Sequence, residues 1–209
     1  MNFSKPDSSC RKELIWFGVA LGLVNLPLLL GLPAVASFTF LPSRFLDGEW
    51  WRLLTHPLVH VTWYHLLLDA SAFFLLYFEL GKSTRTARLF YVGGSMFGAL
   101  LGCLWFAPSI HEIGLCGLSG LAHGLMAILA LESITSHQNR ERGFGIFCLV
   151  VLLAKCAWEV FSGSAFLELL HFGLVGTPLV ACHAGGVIGG VLAFAMIFIA
   201  RRGKDSSQD

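Results

Sequence analysis

One serine and one histidine stand out because each lies near the start of a long apolar stretch. Ser119 belongs to the segment Gly117-Leu118-Ser119-Gly120, and His183 opens the last apolar run of the chain. A serine hydroxyl is a poor nucleophile until an adjacent base takes its proton. If both stretches are helices, both side chains lie within about two turns of their starts. The pair therefore predicts a catalytic dyad. The alternative is a serine bonded within its own helix beside a structural histidine.

Two further polar residues lie in the second apolar stretch. His65 and Asp69 are four residues apart, so they share one face of a helix. Acyl transfer needs hydrogen-bond donors aimed at the developing oxyanion. The candidate donors are the backbone N–H of Ser119, at a helix start, and the ring of His65. Gly117 and Gly120 would let a substrate backbone come close to the nucleophile.

The composition is that of a membrane protein. The chain has 209 residues, of which 56% are hydrophobic and 13% charged, and its mean hydropathy is +0.72. Soluble domains carry roughly 25% charged residues, so membrane lipid is the expected environment. The net charge of +1 gives no basis for binding nucleic acid, and we expect no nucleic-acid partner.

Six apolar stretches are long enough to cross a bilayer as helices of about 20 residues. Helices are favoured over a barrel because strand-type alternation is absent and backbone groups in lipid must pair internally. The stretches are residues 14–33, 58–80, 87–107, 117–135, 143–162 and 179–200. We therefore predict an all-α membrane protein with one six-transmembrane-helix domain over 13–200. An interfacial loop (34–57) would join helices 1 and 2, and polar tails would occupy 1–12 and 201–209.

The basic residues predict the orientation. If the six spans alternate, eleven lysines and arginines fall on one side, and Arg44 and Arg52 fall in a loop on the other. Because cytoplasmic loops are enriched in these residues, both termini are predicted to be cytoplasmic. An alternative for residues 1–36 is a signal peptide cleaved after Ala36, against which the long apolar run broken by Pro27 argues.

Glycines in the last stretch are patterned around the histidine. His183, Gly186 and Gly190 are three and four residues apart, so they share one helix face. Small residues at such spacing let helix backbones approach closely. The face that carries the imidazole is therefore predicted to pack tightly on a neighbouring helix.

Two pairs of residues allow more than one interpretation. Cys116 and Cys182 lie at the outer ends of their stretches, and they either form a disulfide in an oxidising compartment or stay free. Lys155 and Glu159 lie four residues apart inside the fifth stretch. They are either a structural ion pair or part of the site, with Glu159 facing it or Lys155 reaching Asp69.

A series of motifs runs through the chain in a defined order. The series is Trp51-Arg52, His56, His60, His65, a polar residue at 69, Gly117-Leu118-Ser119-Gly120, and His183 followed by Gly186 and Gly190. This order and its spacings resemble the rhomboid intramembrane serine proteases over nearly the whole chain. The small size and the six-span core without extra domains are most similar to the rhombosortase branch of that family.

The resemblance implies a serine endopeptidase that needs no metal or other cofactor. Ser119 would be the nucleophile, His183 the general base and then acid, and His65 an oxyanion donor. The implied substrates are transmembrane proteins cut near their periplasmic ends, in particular C-terminal Gly-Gly-type tails of secreted or surface proteins. The implied location is the bacterial inner membrane, with the active site open to the periplasm.

Two residues depart from the commoner rhomboid pattern. Asparagine is usual where this chain has Asp69. Asp69 can donate a hydrogen bond only when protonated, a form that burial favours, and otherwise it would orient His65. Tyrosine is often found where this chain has His123, which would stack on His183 or bind another group. These departures concern the oxyanion assignment and leave the dyad unaffected.

Two other functions compete with a serine protease. A metal-dependent membrane hydrolase would use Zn²⁺ to activate water, although the sequence has no HExxH motif. A non-catalytic rhomboid-like protein would bind transmembrane clients, but such relatives typically lack the serine or the histidine. The potential zinc ligands are His60, His65, Asp69, His123 and His183.

Overall fold

The computed structural model describes residues 7–30, 37–166, 168–172 and 174–205, and these residues form a bundle of helices. The α-helices are α1 (Ser8–Val24), α2 (Leu26–Leu29), α3 (Pro42–Leu46), α4 (Arg52–Thr55), α5 (Trp63–Glu79), α6 (Arg85–Phe106), α7 (Ile110–Ile113), α8 (Ser119–Ile134), α9 (Asn139–Ser162) and α10 (Ala181–Asp205). Short 3₁₀ turns occupy His56–Leu58, Leu80–Lys82 and Glu168–His171. Within the described residues, β-structure is limited to one isolated bridge between Phe40 and Leu115. The all-α prediction is confirmed.

Each of the six predicted apolar stretches overlaps one long helix, namely α1, α5, α6, α8, α9 or α10. By length and composition, α6, α9 and α10 can cross a membrane. The stretch from Arg52 to Lys82 adds a fourth candidate if its two parts, bent by 95°, form one span. Helix α8 has 16 residues and α1 has 17, fewer than the roughly 20 that a bilayer requires. The described residues therefore give three or four spans, and the count of six is not confirmed.

Local signals fix where the helices around the site begin and end. Thr62 accepts a hydrogen bond from the backbone N–H of His65 at 3.1 Å, which caps α5 and places His65 in its first turn. Thr84 caps α6 in the same way through the N–H of Ala87 at 3.3 Å. Helix α9 ends at Ser162 and is followed by Gly163, whose φ of 68° suits glycine.

Helix α10 lies at the centre of the bundle and packs on α6 and α8 through glycines. Of the 18-residue apolar segment of each helix, 50% is buried in α10, 33% in α6 and 22% in α9. A Cβ atom at Gly98 would lie 2.7 Å from the Cα of Gly189, and one at Gly190 would lie 2.5 Å from the carbonyl oxygen of Gly124. The backbones therefore touch directly, and the predicted tight packing of the face that carries His183 is confirmed.

The predicted interfacial loop, residues 34–57, folds back onto the bundle where it is described; residues 34–36 lie outside the described part. Arg52 is 5% exposed and donates to a backbone carbonyl of the loop at 2.7 Å. Phe40 and Leu115 exchange two backbone hydrogen bonds of 3.0 and 2.8 Å. The loop is thereby fastened to the segment that precedes α8.

A buried ion-pair cluster holds the opposite end of the bundle. Arg88 is 0% exposed, and its Nε donates to Glu13 Oε2 at 2.8 Å. The hydroxyl of Tyr77 donates to the same oxygen at 2.7 Å. Helices α1, α5 and α6 therefore meet around one buried cation.

Candidate active site

The loop before α8 presents Ser119 in the first turn of that helix. Gly117 has a φ of +96°, a conformation that favours glycine, and its N–H donates to the carbonyl oxygen of His56 at 3.0 Å. The next N–H, that of Leu118, donates to Asp69 Oδ2 at 2.8 Å. His56 and Asp69 therefore hold the backbone that positions Ser119.

The structure brings Ser119 and His183 together. Ser119 Oγ lies 3.2 Å from His183 Nε2, although the two residues are 64 positions apart. His183 is 8% exposed and lies in the first turn of α10. Cys182 Sγ lies 3.7 Å from Ser119 Oγ, so a thiol borders the hydroxyl. The distance between hydroxyl and imidazole permits direct proton transfer.

The second ring nitrogen of His183 faces a buried carboxylate on α9. Glu159 is 1% exposed, and its Oε2 lies 2.8 Å from His183 Nδ1. Its other oxygen, Oε1, accepts from Lys155 Nζ at 2.6 Å and from the backbone N–H of Phe166 at 2.9 Å. The ion pair therefore exists and Glu159 also faces the site, so both interpretations of this pair hold. Among the described residues, no ion pair joins Lys155 to Asp69.

His123 stacks on the ring of His183. The ring centroids are 4.0 Å apart and the planes differ by 15°. His123 Nδ1 lies 2.7 Å from the carbonyl oxygen of Ser119. Because a carbonyl oxygen only accepts, this nitrogen carries the proton. Of the two alternatives for His123, stacking is the one found in the structure.

Asp69 accepts a backbone hydrogen bond and lies close to two imidazole rings. Its Oδ2 receives the N–H of Leu118, and the Nε2 atoms of His60 and His65 lie 3.4 and 3.3 Å from the same oxygen. An oxygen with this environment acts as an acceptor. The geometry therefore favours the alternative in which Asp69 orients His65 and does not donate to an oxyanion. The role of His65 as an oxyanion donor stays a prediction.

The two glycines near Ser119 allow close packing around it. A Cβ at Gly117 would lie 2.8 Å from His65 Nε2. A Cβ at Gly120 would lie 2.7 Å from Ala99 Cβ and 2.9 Å from the carbonyl oxygen of Cys182. Gly120 is thus buried between α6 and α10 and permits helix packing, and its predicted role toward a substrate backbone stays a prediction.

A cavity of about 360 Å³ lies beside these residues. Its lining includes Phe166 and residues 175–179 of the loop between α9 and α10. The polar side chains and the thiol in the lining are those of His65, Asp69, Cys116, Ser119, His123, Lys155, Glu159 and His183. The candidate nucleophile and base therefore face a space in which a substrate group can bind.

A model of the rhomboid domain family matches residues 47–200, a range that runs from the interfacial loop into α10. The chain belongs to the rhomboid family. Rhomboid protease GluP of Bacillus subtilis (strain 168) is 24% identical over 163 residues, which cover 77% of this chain and 29% of that protein. Rhomboid-like protease 5 of Toxoplasma gondii is 31% identical over 157 residues, which cover 72% of this chain and 16% of that protein. The chain thus spans less than a third of the length of either relative.

Of the two alternatives for Cys116 and Cys182, the structure of this rhomboid domain has the free thiols. All six cysteines lie within the described residues, and all are free. Burial raises the pKa of the Cys116 thiol to about 12, which disfavours the thiolate that disulfide formation needs. Cys182 instead directs its sulphur toward Ser119 Oγ.

The zinc alternative requires ligand atoms that converge on one point. Among the described residues, the groups whose ligand atoms lie within 4.8 Å of one another are His123, Glu159 and His183. Both ring nitrogens of His183 already face protein partners, since Nε2 lies 3.2 Å from Ser119 Oγ and Nδ1 lies 2.8 Å from Glu159 Oε2. The remaining predicted ligands gather around Asp69 instead. The geometry of the rhomboid site favours proton transfer over metal binding.

Three features of the rhomboid site were not predicted from the sequence. The N–H of Phe166 binds Glu159, the sulphur of Cys182 borders Ser119, and His60 lies against Asp69. The signal for His60 was available, because a histidine just before a helix that carries a buried acid is a candidate partner for it. The other two contacts depend on loop and helix packing that spacing does not reveal.

Proposed function

We propose that this rhomboid-family chain is an intramembrane serine endopeptidase in which Ser119 is the nucleophile and His183 the general base and then acid. The observation that carries the proposal is the 3.2 Å distance between Ser119 Oγ and His183 Nε2 at the wall of a cavity. A serine within hydrogen-bond reach of an imidazole can be activated for attack on a carbonyl. The two relatives, one named as a rhomboid protease and the other as a rhomboid-like protease, support the same class of reaction.

The reaction would proceed through an acyl-enzyme. As Ser119 Oγ bonds to the carbonyl carbon, its proton passes to His183 Nε2 and then to the leaving nitrogen when the C–N bond breaks. Water deprotonated by the same imidazole then releases the new carboxylate and restores the serine. The first N–H groups of α8 lack carbonyl partners within the helix. The N–H of Ser119 is therefore one proposed oxyanion donor, and His65 is the second.

The surface of the long helices supports a membrane location. Large apolar side chains are exposed along α9 and α10, among them Phe147 (63%), Trp158 (59%) and Ile188 (60%). Such a surface is stable against lipid and not against water. The proposed topology has six spans and cytoplasmic termini in the bacterial inner membrane, because the basic residues favour one side. In that topology α8 and α10 begin at the periplasmic side, so the site opens there.

The proposed substrates are transmembrane proteins cut near their periplasmic ends, in particular C-terminal Gly-Gly-type tails. A peptide bond in a helix is protected because its amide groups are hydrogen-bonded. Glycine costs a helix roughly 1 kcal/mol relative to alanine, so a Gly-Gly segment would unwind into the cavity more readily than most sequences. The rhombosortase branch and the Gly-Gly preference rest on the sequence resemblance.

Co-expression of the full chain with candidate Gly-Gly-tailed membrane proteins tests the proposal. Mass spectrometry of the substrates should find new C-termini in or beside the membrane segment. Ser119→Ala and His183→Ala should yield none while keeping the helical fold by circular dichroism. A fluorophosphonate should label Ser119 in the wild type, because the probe reacts with an activated serine.

Each negative result points to a different conclusion. Cleavage that persists in Ser119→Ala would refute the mechanism. A wild-type protein that neither cleaves nor accepts the fluorophosphonate would favour a non-catalytic client-binding protein. Cleavage of membrane proteins that excludes Gly-Gly tails would keep the protease and reject the rhombosortase branch.

A further inference from the structure

A buried carboxylate touches the imidazole of the proposed dyad on the side away from Ser119. We propose that Glu159 is a positioning residue for His183, so that the site works as a Ser119–His183–Glu159 triad. This inference rests on the proposed function and deepens it, because it assigns the group that holds the general base. The competing explanation is that Glu159 only pairs with Lys155 to neutralise a charge inside the bundle.

Both oxygens of Glu159 have defined partners. Oε1 accepts from Lys155 Nζ at 2.6 Å and from the backbone N–H of Phe166 at 2.9 Å, and Oε2 lies 2.8 Å from His183 Nδ1. Glu159 is 1% exposed, so bulk water does not compete for these bonds, which are stronger in a low dielectric. The carboxylate therefore cannot rotate without breaking three contacts.

This pairing decides which nitrogen of His183 carries the proton. An ionised carboxylate only accepts hydrogen bonds, so Nδ1 donates and Nε2 keeps its lone pair. Nε2 is the nitrogen that lies 3.2 Å from Ser119 Oγ. The imidazole is thus held in the form that a general base needs. After His183 takes the serine proton, the carboxylate stabilises the imidazolium, as the third member does in serine protease triads.

Lys155 explains how an ionised carboxylate persists so deep in the bundle. A buried charge without a partner costs several kcal/mol, and the ammonium of Lys155 compensates it. Lys155 Nζ lies 3.4 Å from His183 Nδ1, whereas the carboxylate oxygen lies 2.8 Å from the same nitrogen. The imidazolium therefore meets the negative partner at the shorter distance.

Replacing Glu159 with glutamine distinguishes the two explanations. In the wild type, Glu159 Oε1 accepts hydrogen bonds from Lys155 and from the N–H of Phe166. In the variant, the oxygen of the glutamine amide must therefore occupy that position. The amide NH₂ then faces His183 Nδ1 and forces that nitrogen to accept. The proton moves to Nε2, where it blocks proton transfer from Ser119. Glutamine is nearly isosteric with glutamate, so an explanation based only on packing predicts a mild effect.

Cleavage kinetics of Glu159→Gln give the first measurement. The expected loss in kcat is between about 10²- and 10⁴-fold, the range that a positioned acid–base group contributes. KM should stay within about threefold of wild type, since a loss confined to the transition state lowers kcat. Glu141→Gln is the matched control, because it makes the same change at the exposed start of α9 and should leave both constants unchanged. A Glu159→Gln enzyme that keeps more than about a tenth of the wild-type kcat would overturn the inference. Its loss in kcat would then be smaller than a positioned acid–base group contributes.

Nitrogen-15 NMR of labelled histidine gives a second measurement that does not depend on cleavage. His183→Ala assigns the His183 signals. The wild-type spectrum should show a proton on Nδ1, and the Glu159→Gln spectrum should show it on Nε2. The same tautomer in both proteins would overturn the inference even if Ser119 proved to be the nucleophile. The predicted change of tautomer would support it even before a substrate is found.

Glu159→Asp keeps the inference testable if the glutamine variant does not fold. Aspartate retains an acceptor but is one methylene shorter, so it should restore the Nδ1 proton and more activity than glutamine does. A purely structural role predicts the opposite order, because glutamine fills the space better. Folding of each variant is checked by circular dichroism and thermal unfolding in detergent.

Discussion

Replacing Gly120 with alanine is expected to pull the two halves of the active site apart. The added Cβ would lie 2.7 Å from Ala99 Cβ and 2.9 Å from the carbonyl oxygen of Cys182, whereas non-bonded carbon atoms settle at about 3.5–4.0 Å. Because these neighbours are backbone or directly attached to it, α8 must move by about 1 Å to relieve the overlap. The 3.2 Å contact between Ser119 Oγ and His183 Nε2 would then stretch to about 4 Å, beyond hydrogen-bond range.

The size of the effect follows from that displacement. Overpacking a buried site costs typically about 1–3 kcal/mol of stability. A misplacement of about 1 Å at a reacting group can lower the rate about 10²-fold. The rate of fluorophosphonate labelling of Ser119 measures the second effect directly, at a temperature where thermal unfolding in detergent shows that the variant is folded.

Gly93→Ala is the matched control for Gly120→Ala. It introduces the same methyl group in the middle of α6, where nothing lies within 4 Å of the added Cβ. This variant should label at the wild-type rate and unfold at the wild-type temperature or slightly above it, because alanine favours the helix. Labelling of Gly120→Ala at the wild-type rate would show that the close contact of α8 with α6 and α10 does not set the distance between serine and histidine.

Three further substitutions test separate contacts. Asp69→Asn keeps an acceptor for the N–H of Leu118 and should retain cleavage, whereas Asp69→Ala should lower kcat at least about tenfold, because an unsatisfied buried donor costs about 1–3 kcal/mol. Arg88→Met removes the buried cation of Glu13 and leaves the exposed Arg85, 3.4 Å from Glu13 Oε1, as its ion-pair partner. It should lower the free energy of unfolding by about 1–3 kcal/mol, measured by denaturation in detergent, while cleavage at low temperature persists. His123→Phe keeps a ring against the catalytic imidazole and should retain more kcat than His123→Ala; equal losses in both would show that stacking does not hold the imidazole.

The apolar stretches predicted the long helices because both lipid-facing and core-facing residues are apolar. Hydropathy therefore indicates where a long helix lies in the sequence, but it does not show which side of the helix faces the core. The stretch 87–107 corresponds to α6 (Arg85–Phe106), and the stretch 143–162 corresponds to α9 (Asn139–Ser162). Helix α9 begins earlier than predicted because its first turn is polar and exposed, so hydropathy does not count it.

The sequence was less informative where the backbone bends. The stretch 117–135 was predicted as one span, yet α8 begins only at Ser119, because the φ of +96° at Gly117 is incompatible with a helix. The chain from Arg52 to Lys82 bends by 95° at a break that apolar composition does not mark. The burial of the Arg88 charge was also not predicted from the sequence. Its partner Glu13 lies on a different helix, so no local sequence pattern connects the two residues.

The contact between Glu159 and His183 shows which features of a site can be predicted by counting residues along the helices and which cannot. Glu159 lies three residues before the end of α9, and His183 lies two residues after the start of α10. Because consecutive helices run antiparallel here, equal distance from the shared end means similar depth. The depth of both residues was therefore available from the sequence. The rotation of α9 about its axis was not, since it depends on which side of α9 packs against α8 and α10. Lys155 and Glu159 could thus be recognised as one polar face, but only the packed bundle shows that this face meets the imidazole.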